Sequence, residues 1–368
     1  MPRTQRCWSL VLLLGGCQPD DTLTFAVPDG FPELVVPEDN PLTDAKIELG
    51  RHLFYDTRLS GNQEQACASC HVQGQAFTDG LARSIGSTGM IHPRNSSSLT
   101  NAAFNSTLTW ANPLLTDLEQ QFLTPIFSDA PVELGADDAV LDRFETDPSY
   151  RDLFVAAYGR RANISWDLVI DGLASFVRTM VSGTSRFDRF TYGGDNDALS
   201  LEEKRGLALF FSERLECQHC HGGFNFSEST THAGTTFEAE AFHNNGLYNL
   251  DGEGAYPTDN VGLLEFTGNP DDMGRFRPPT LRNIAVTAPY MHDGSLQTLE
   301  EVIDHYARGG RLLEDGPYAG DGALSPLKSG FVAGFELTQA EKADLIAFLE
   351  ALTDDDFLSR EALSNPFD

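Results

Sequence analysis

The chain has 368 residues, 40% of them apolar, and carries 55 acidic against 25 basic side chains, a formal net charge of −30. That length is enough for two domains with buried cores. The acidic balance argues against nucleic acid and anionic membranes as partners, and a basic redox partner suits it.

The first residues read as an export signal. Arg3 and Arg6 form a short basic region, and Trp8 to Leu14 is an apolar stretch too short to span a bilayer. It runs into Leu14-Gly15-Gly16-Cys17, which resembles a bacterial lipobox. Residues 1–17 are therefore expected to be a lipoprotein signal with Cys17 acylated, followed by a tether over 18–40. The mature protein would be periplasmic, held by lipid to the outer membrane of a Gram-negative bacterium. An ordinary cleaved signal with a chance Cys is the alternative, and either way the chain is exported. No later segment is long and apolar enough for a transmembrane helix.

A helix expected to begin near Thr43 carries Leu49-Gly50-Arg51-His52-Leu53-Phe54 and leads into Cys67-Ala68-Ser69-Cys70-His71. The same order recurs later. Ser200 and Glu203 make a capping-box pattern, Gly206 again stands three residues before Leu209-Phe210, and Cys217-Gln218-His219-Cys220-His221 follows. Each Cys-x-x-Cys-His reads as a covalent c-type haem attachment site, two thiols bonding the haem edge and the adjacent His ligating the iron. A zinc ribbon needs paired Cys-x-x-Cys but no His after each pair, and a thioredoxin-like motif would usually occur once, in a βαβ context. The other two of the six Cys, Cys7 and Cys17, lie near the N-terminus.

Each half also needs a later helix crossing the first. Residues 164–181 fit, with Leu168, Leu173, Phe176 and Val177 at helical spacing, and so do residues 337–352, with Thr338 and Glu341 as a capping box. Tyr192-Gly193-Gly194-Asp195 is a candidate linker, and Gly- and Asn-rich loops fill 230–269. The expected fold is mostly α: two cytochrome c-like domains, 41–191 and 192–368, each with one covalently bound c-type haem.

Further segments carry a resemblance. These are Pro93-Arg94-Asn95-Ser96, Pro279-Thr280-Leu281-Arg282-Asn283-Ile284, and Thr287-Ala288-Pro289-Tyr290-Met291-His292-Asp293-Gly294. With Leu49 to His71, they make the chain resemble the bacterial dihaem cytochrome c peroxidase and MauG family over most of residues 40 to 352. Trp110-Ala111-Asn112-Pro113 and Pro131-Val132-Glu133-Leu134-Gly135 look most like the MbnH-type MauG relatives, which oxidise tryptophan in a partner protein.

The resemblance implies roles. His71 would ligate a first, peroxide-reacting haem, and His221 a second, electron-storing one. The residue matching the family's other ligand to the second haem is Tyr306, where the peroxidases have Met. A thioether favours reduced iron, whereas a phenolate favours oxidised iron. The alternative is that Tyr306 packs against the haem and Met291 ligates. At the first haem, the position of the family's blocking His aligns with Ser87, so an open site for hydrogen peroxide is expected; His92 as a displaced ligand is the rival. Glu133 matches the distal Glu that would shuttle a proton, and Gln121, on an amphipathic helix with Leu118, Phe122 and Ile126, matches the distal Gln. Both would otherwise be solvated polar residues. Trp110 matches a tryptophan between the haems, or is a buried core Trp. Asn95, Thr287 and Pro289 match a calcium site near the interface. His243, His292 and His305 are assigned no ligand role.

The function so implied is an exported dihaem oxidoreductase. It would react with hydrogen peroxide at the first haem and oxidise a partner protein through a high-valent dihaem state. A detoxifying peroxidase fed by a small cytochrome is the alternative, and a non-catalytic dihaem electron carrier the second.

Overall fold

The computed structural model describes residues 23–129, 132–236 and 242–367. The leader motif with Cys7 and Cys17, Pro131, and residues 237–241 of the long loop lie outside the described residues. The structure is mostly α-helical. In chain order the helices are α1 (Asp44–Tyr55), α2 (Cys67–Cys70), α3 (Leu118–Phe127), α4 (Ala139–Glu145), α5 (Pro148–Tyr158), α6 (Trp166–Arg178), α7 (Arg186–Thr191), α8 (Leu201–Phe210), α9 (Gln218–His221), α10 (Leu264–Thr267), α11 (Leu299–Arg308), α12 (Gln339–Glu350) and α13 (Asp355–Ser359). Two small antiparallel ribbons complete it: β1 (His243–Asn244) with β2 (Arg275–Phe276), and β3 (Leu312–Leu313) with β4 (Gly320–Asp321). No helix among the described residues is long and apolar enough to cross a membrane.

The caps fall where the sequence pattern puts them. Thr43 accepts the Lys46 N–H ahead of α1, and Ser200–Glu203 and Thr338–Glu341 close as capping boxes on α8 and α12. The crossing helix expected over 164–181 is shorter, because Ser165 caps its start and the backbone departs from the helix after Arg178.

The duplication seen in sequence is a duplication in packing. A Cβ on Gly50 of α1 would lie 1.9 Å from the Gly172 carbonyl oxygen of α6, and one on Gly206 of α8 would lie 1.9 Å from the Asp344 carbonyl oxygen of α12. Glycine at those two points lets the helix axes approach. Around each crossing sits the same aromatic set. Phe54 meets Phe176 at 5.4 Å and Phe77 at 6.0 Å between ring centroids. Phe210 meets Phe348 at 5.3 Å and Phe226 at 5.8 Å. Tilted and edge contacts of this kind add to the area these rings bury.

Two hydrophobic cores result. One is built on α1, α3, α5 and α6, and the other on α8, α11 and α12. They interlock along the chain. Phe187 of α7 packs in the second core, while Phe357 of α13 and Leu363 pack in the first. Residues 23–40 lie against the protein, with Phe31 on Phe104 and Phe224, and Asn40 bonded to Glu119. Between the cores, Asn101 bonds Asn225 at 2.9 Å, and the Asn95 N–H donates to the His292 carbonyl at 2.8 Å.

Candidate haem and peroxide sites

In both motifs the histidine ring is held by backbone. The Nδ1–H of His71 donates to the Phe77 carbonyl at 2.7 Å, and that of His221 to the carbonyls of Phe226 (3.2 Å) and Pro279 (3.1 Å). A carbonyl only accepts, so Nδ1 carries the proton and the Nε2 lone pair is left for a metal. Phe77 and Phe226 aim their carbonyls by adopting left-handed backbone, φ 60° and 49°. For a bulky residue that conformation is strained, and it recurs at the same point of both halves. Burial pushes both imidazoles down, His221 to about 4, so each is the neutral form that binds iron. Burial likewise pushes the thiols of Cys67 and Cys217 up to about 12 and Cys70 to about 11.

Cys217, Cys220 and His221 open onto a mostly apolar cavity of about 190 Å³, which Tyr306, Met291 and Trp110 also line. Tyr306 comes from α11, and the strand pair β1–β2 brings Asn245 and Arg277 to the wall. Arg277 is buried. Its Nε–H donates to the Thr109 carbonyl at 3.0 Å and its backbone N–H to the Trp110 carbonyl at 2.8 Å. Its Nη1 has no partner among the described residues, and burial lowers the guanidinium to about 10. A buried cation without a carboxylate suits a haem propionate, the anion that such a cavity would receive with the macrocycle. The apolar walls, free Nε2 and lone guanidinium thus fit a c-type haem. His243 pairs with Glu228 beside Cys220, but Cys220 would be a thioether once haem is attached, so the three do not make a separate metal site.

Near the first motif, Glu133 sits close enough for its charge to act on Cys67, Cys70 and His71. Its segment is pinned on both sides. The Ser87 N–H donates to the Glu133 carbonyl at 2.8 Å, and the Gly61 N–H to the Leu134 carbonyl at 2.9 Å. His92 turns its Nε2 to the Glu133 carboxylate at 3.4 Å and receives the Arg94 N–H on Nδ1 at 3.1 Å. Both its nitrogens are therefore engaged within the protein. Gln121 lies on α3, where Leu118, Phe122 and Ile126 are buried as their spacing suggests, and its Oε1 is buried with no partner among the described residues.

Trp110 connects the two regions. Its indole N–H donates to the Asn95 carbonyl at 2.8 Å, and the next residue, Ser96, donates to the Cys70 carbonyl at 2.8 Å. Asn95, Thr287 and Pro289 share a small cavity of about 60 Å³ with Trp110 and Arg277. The Asn95 amide donates to the Leu81 carbonyl at 2.8 Å, which leaves its Oδ1 available.

Four contributors escaped the sequence reading. The Phe77 and Phe226 carbonyls carry no sequence signal, since nothing in a phenylalanine announces left-handed backbone. Asn245 is one of many loop asparagines. Arg277 had a signal, the second arginine of Arg275-Phe276-Arg277-Pro278-Pro279 in a very acidic chain.

Two helix pairs crossing at glycine, each leading into a Cys-x-x-Cys-His with a carbonyl-locked histidine, define the class as a dihaem c-type cytochrome. Residues 44–197 match the family described as di-haem cytochrome c peroxidase. The chain is 36% identical over 341 residues to cytochrome-c peroxidase IdrP1 of Pseudomonas sp. (strain SCT), covering 88% of this chain and 84% of that one. It is 34% identical over 331 residues to methylamine utilization protein MauG of Methylorubrum extorquens, covering 89% and 84%. A solved structure described as a MauG-like protein associated with microbial copper homeostasis superposes with a TM-score of 0.91 at 49% identity, covering 93% of this chain and 99% of that one. The chain belongs to the MauG/dihaem cytochrome c peroxidase family: it is a hydrogen peroxide-dependent oxidoreductase with two covalent c-type haems.

Proposed function

We propose that this chain is a MauG-like enzyme that uses hydrogen peroxide to oxidise a side chain of a partner protein, with tryptophan as the candidate target. The observation that carries the reading is Tyr306, a phenol rather than a thioether, on the wall of the cavity that Cys217, Cys220 and His221 share. The 49% identity to a MauG-like protein supports it. When bound, the haems supply the iron that cleaves the O–O bond and stores the resulting oxidising equivalents.

The chain's own residues do the rest. His71 and His221 offer Nε2 to the irons, and Tyr306 offers its oxygen to the second. Glu133 takes a proton from the near peroxide oxygen and returns it to the leaving one, with His92 holding the carboxylate. The orphan Gln121 Oε1 accepts a hydrogen bond from peroxide or its product water. Trp110, tied through Asn95 and Ser96 to the first motif and lining the second cavity, shares the hole between the sites. Arg277 would neutralise a haem propionate. The Asn95 Oδ1 with the Thr287 and Pro289 carbonyls makes an oxygen-only set suited to calcium. The chain acts outside the cytoplasm, lipid-anchored through Cys17, in two cytochrome c-like domains over 41–191 and 192–368.

A second reading, a peroxidase fed by a small cytochrome, is favoured by Met291, whose thioether lines the same cavity. One equivalent of hydrogen peroxide added to the diferric protein separates the two. Optical and Mössbauer spectra that retain both oxidising equivalents without added reductant support partner oxidation. Turnover only after partial reduction, with a cytochrome donor, refutes it.

A further inference from the structure

Asn245 follows β1 and stands on the wall of the second cavity with Tyr306 and Met291. Its neighbours fix which way the amide points. Oδ1 accepts the Leu247 N–H at 3.2 Å, so Nδ2 is the end left for the cavity. There Nδ2 donates to the Met291 sulfur at 3.3 Å. Tyr306 stands on the same wall. The Asn245 carbonyl accepts from His305 Nε2 at 3.0 Å, which ties this backbone to the helix that carries Tyr306. This amide thus occupies the sulfur of one of the two side chains able to offer the second iron a ligand and leaves the other, Tyr306, uncontested.

We propose that Asn245 is the positioning residue that assigns the second haem to Tyr306 rather than to Met291. The inference rests on the reading of Tyr306 as a ligand given above. Its physics is a division of lone pairs. A thioether sulfur that accepts an N–H has less to give a metal, so Met291 is the weaker competitor for the iron. Met291 is held in this contact by left-handed backbone, φ 72°. A single donor therefore biases the iron toward the hard anionic ligand, the one that favours the oxidised state.

The test uses the diferric holoprotein with Asn245→Leu, which is close in shape and has no donor. The variant keeps its local fold for two reasons. The Leu247 N–H retains a second acceptor, the Tyr256 hydroxyl at 3.1 Å, and the His305 contact is to backbone. Asn245→Leu should gain the near-infrared charge-transfer band of thioether-ligated ferric haem. At a fixed solution potential the ferrous-to-ferric ratio of the second haem should rise about tenfold, 59 mV for one electron. Both changes should vanish in Asn245→Leu/Met291→Leu. Absence of the band in Asn245→Leu, or its persistence in the double variant, overturns the role of Asn245. Tyr306→Phe distinguishes the underlying reading. If wild type already carries the band and Tyr306→Phe leaves the spectrum unchanged, Tyr306 is not a ligand, and that reading falls first.

Discussion

Replacing Gly206 by Ala puts a methyl group into the α8–α12 crossing. The added Cβ would stand 1.9 Å from the Asp344 carbonyl oxygen and 2.7 Å from the Phe348 Cβ. Neither obstacle can rotate away, since one is backbone and the other is the root of a wholly buried ring. The helices must separate. Overpacking costs about 1–3 kcal/mol, and a rigid backbone contact belongs at the top of that range. Helix propensity returns about 1 kcal/mol for Gly→Ala. The net loss of about 2 kcal/mol corresponds to a fall in Tm of roughly 4–8 °C for a unit of this size. Because α8 leads into Cys217 and α12 packs across it, the optical spectrum of the second haem should shift while the first is unchanged. Gly50→Ala should do the reverse, since its Cβ meets the Gly172 oxygen at the same 1.9 Å. Gly74, with nothing within 4 Å of an added Cβ, is the control and should be neutral as Ala. Differential scanning calorimetry with haem-resolved spectra reads all three. A Gly206→Ala protein with wild-type Tm and an undisturbed second haem would refute the crossing argument.

Three other outcomes are expected. Glu133→Gln keeps the shape near the first motif but cannot carry the proton, so stopped-flow measurement of the peroxide reaction should fall by about 10²–10⁴; a near-normal rate removes Glu133 from the site. Arg277→Leu removes a buried cation that favours the added electron, so redox titration should find the second haem's potential lower by about one decade in the ferrous-to-ferric ratio, ~59 mV; an unchanged or raised potential contradicts the propionate pairing. Chelation should lower the Tm of wild type but not of Asn95→Ala if calcium binds at Asn95, Thr287 and Pro289; equal responses would dismiss that site.

Much of this architecture was legible because local rules act on contiguous residues. Thr43, Ser200 and Thr338 announce helix starts through their side chains, and Cys-x-x-Cys-His needs only one turn of chain. Gly50 and Gly206 were visible as a repeated spacing, though their reason, a carbonyl at 1.9 Å, lies more than a hundred residues away. What stayed hidden depends on backbone dihedrals and on distant partners. Phe77 and Phe226 read as ordinary core residues, yet their φ angles decide which histidine nitrogen is free. Arg277 acquires meaning only when β2 carries it to the cavity shared with Trp110 and no carboxylate among the described residues meets it. His92 could be read as a potential iron ligand from sequence position, and its engagement by Glu133 and the Arg94 backbone emerges only in three dimensions.

The segment after α12 has a consequence for the order of assembly. The Phe357 ring caps Phe77 at 5.6 Å, Gln73 donates to the carbonyls of Phe357 and Arg360, and the Tyr55 hydroxyl donates to the Leu363 carbonyl across a separation of 308 residues. The core around Cys67 is thus closed by residues synthesised long after it. A chain threaded outward from its N-terminal side exposes the first thiol pair while that wall is still missing, whereas α12, which crosses the helix of the second pair, precedes that wall. Haem attached to Cys67 and Cys70 before those last residues emerge would meet an open pocket that the wall then shuts. A version ending at Thr353 should still acquire both haems but leave the first prone to proteolysis nearby; a first haem as protected as in the full chain would show that the wall is dispensable.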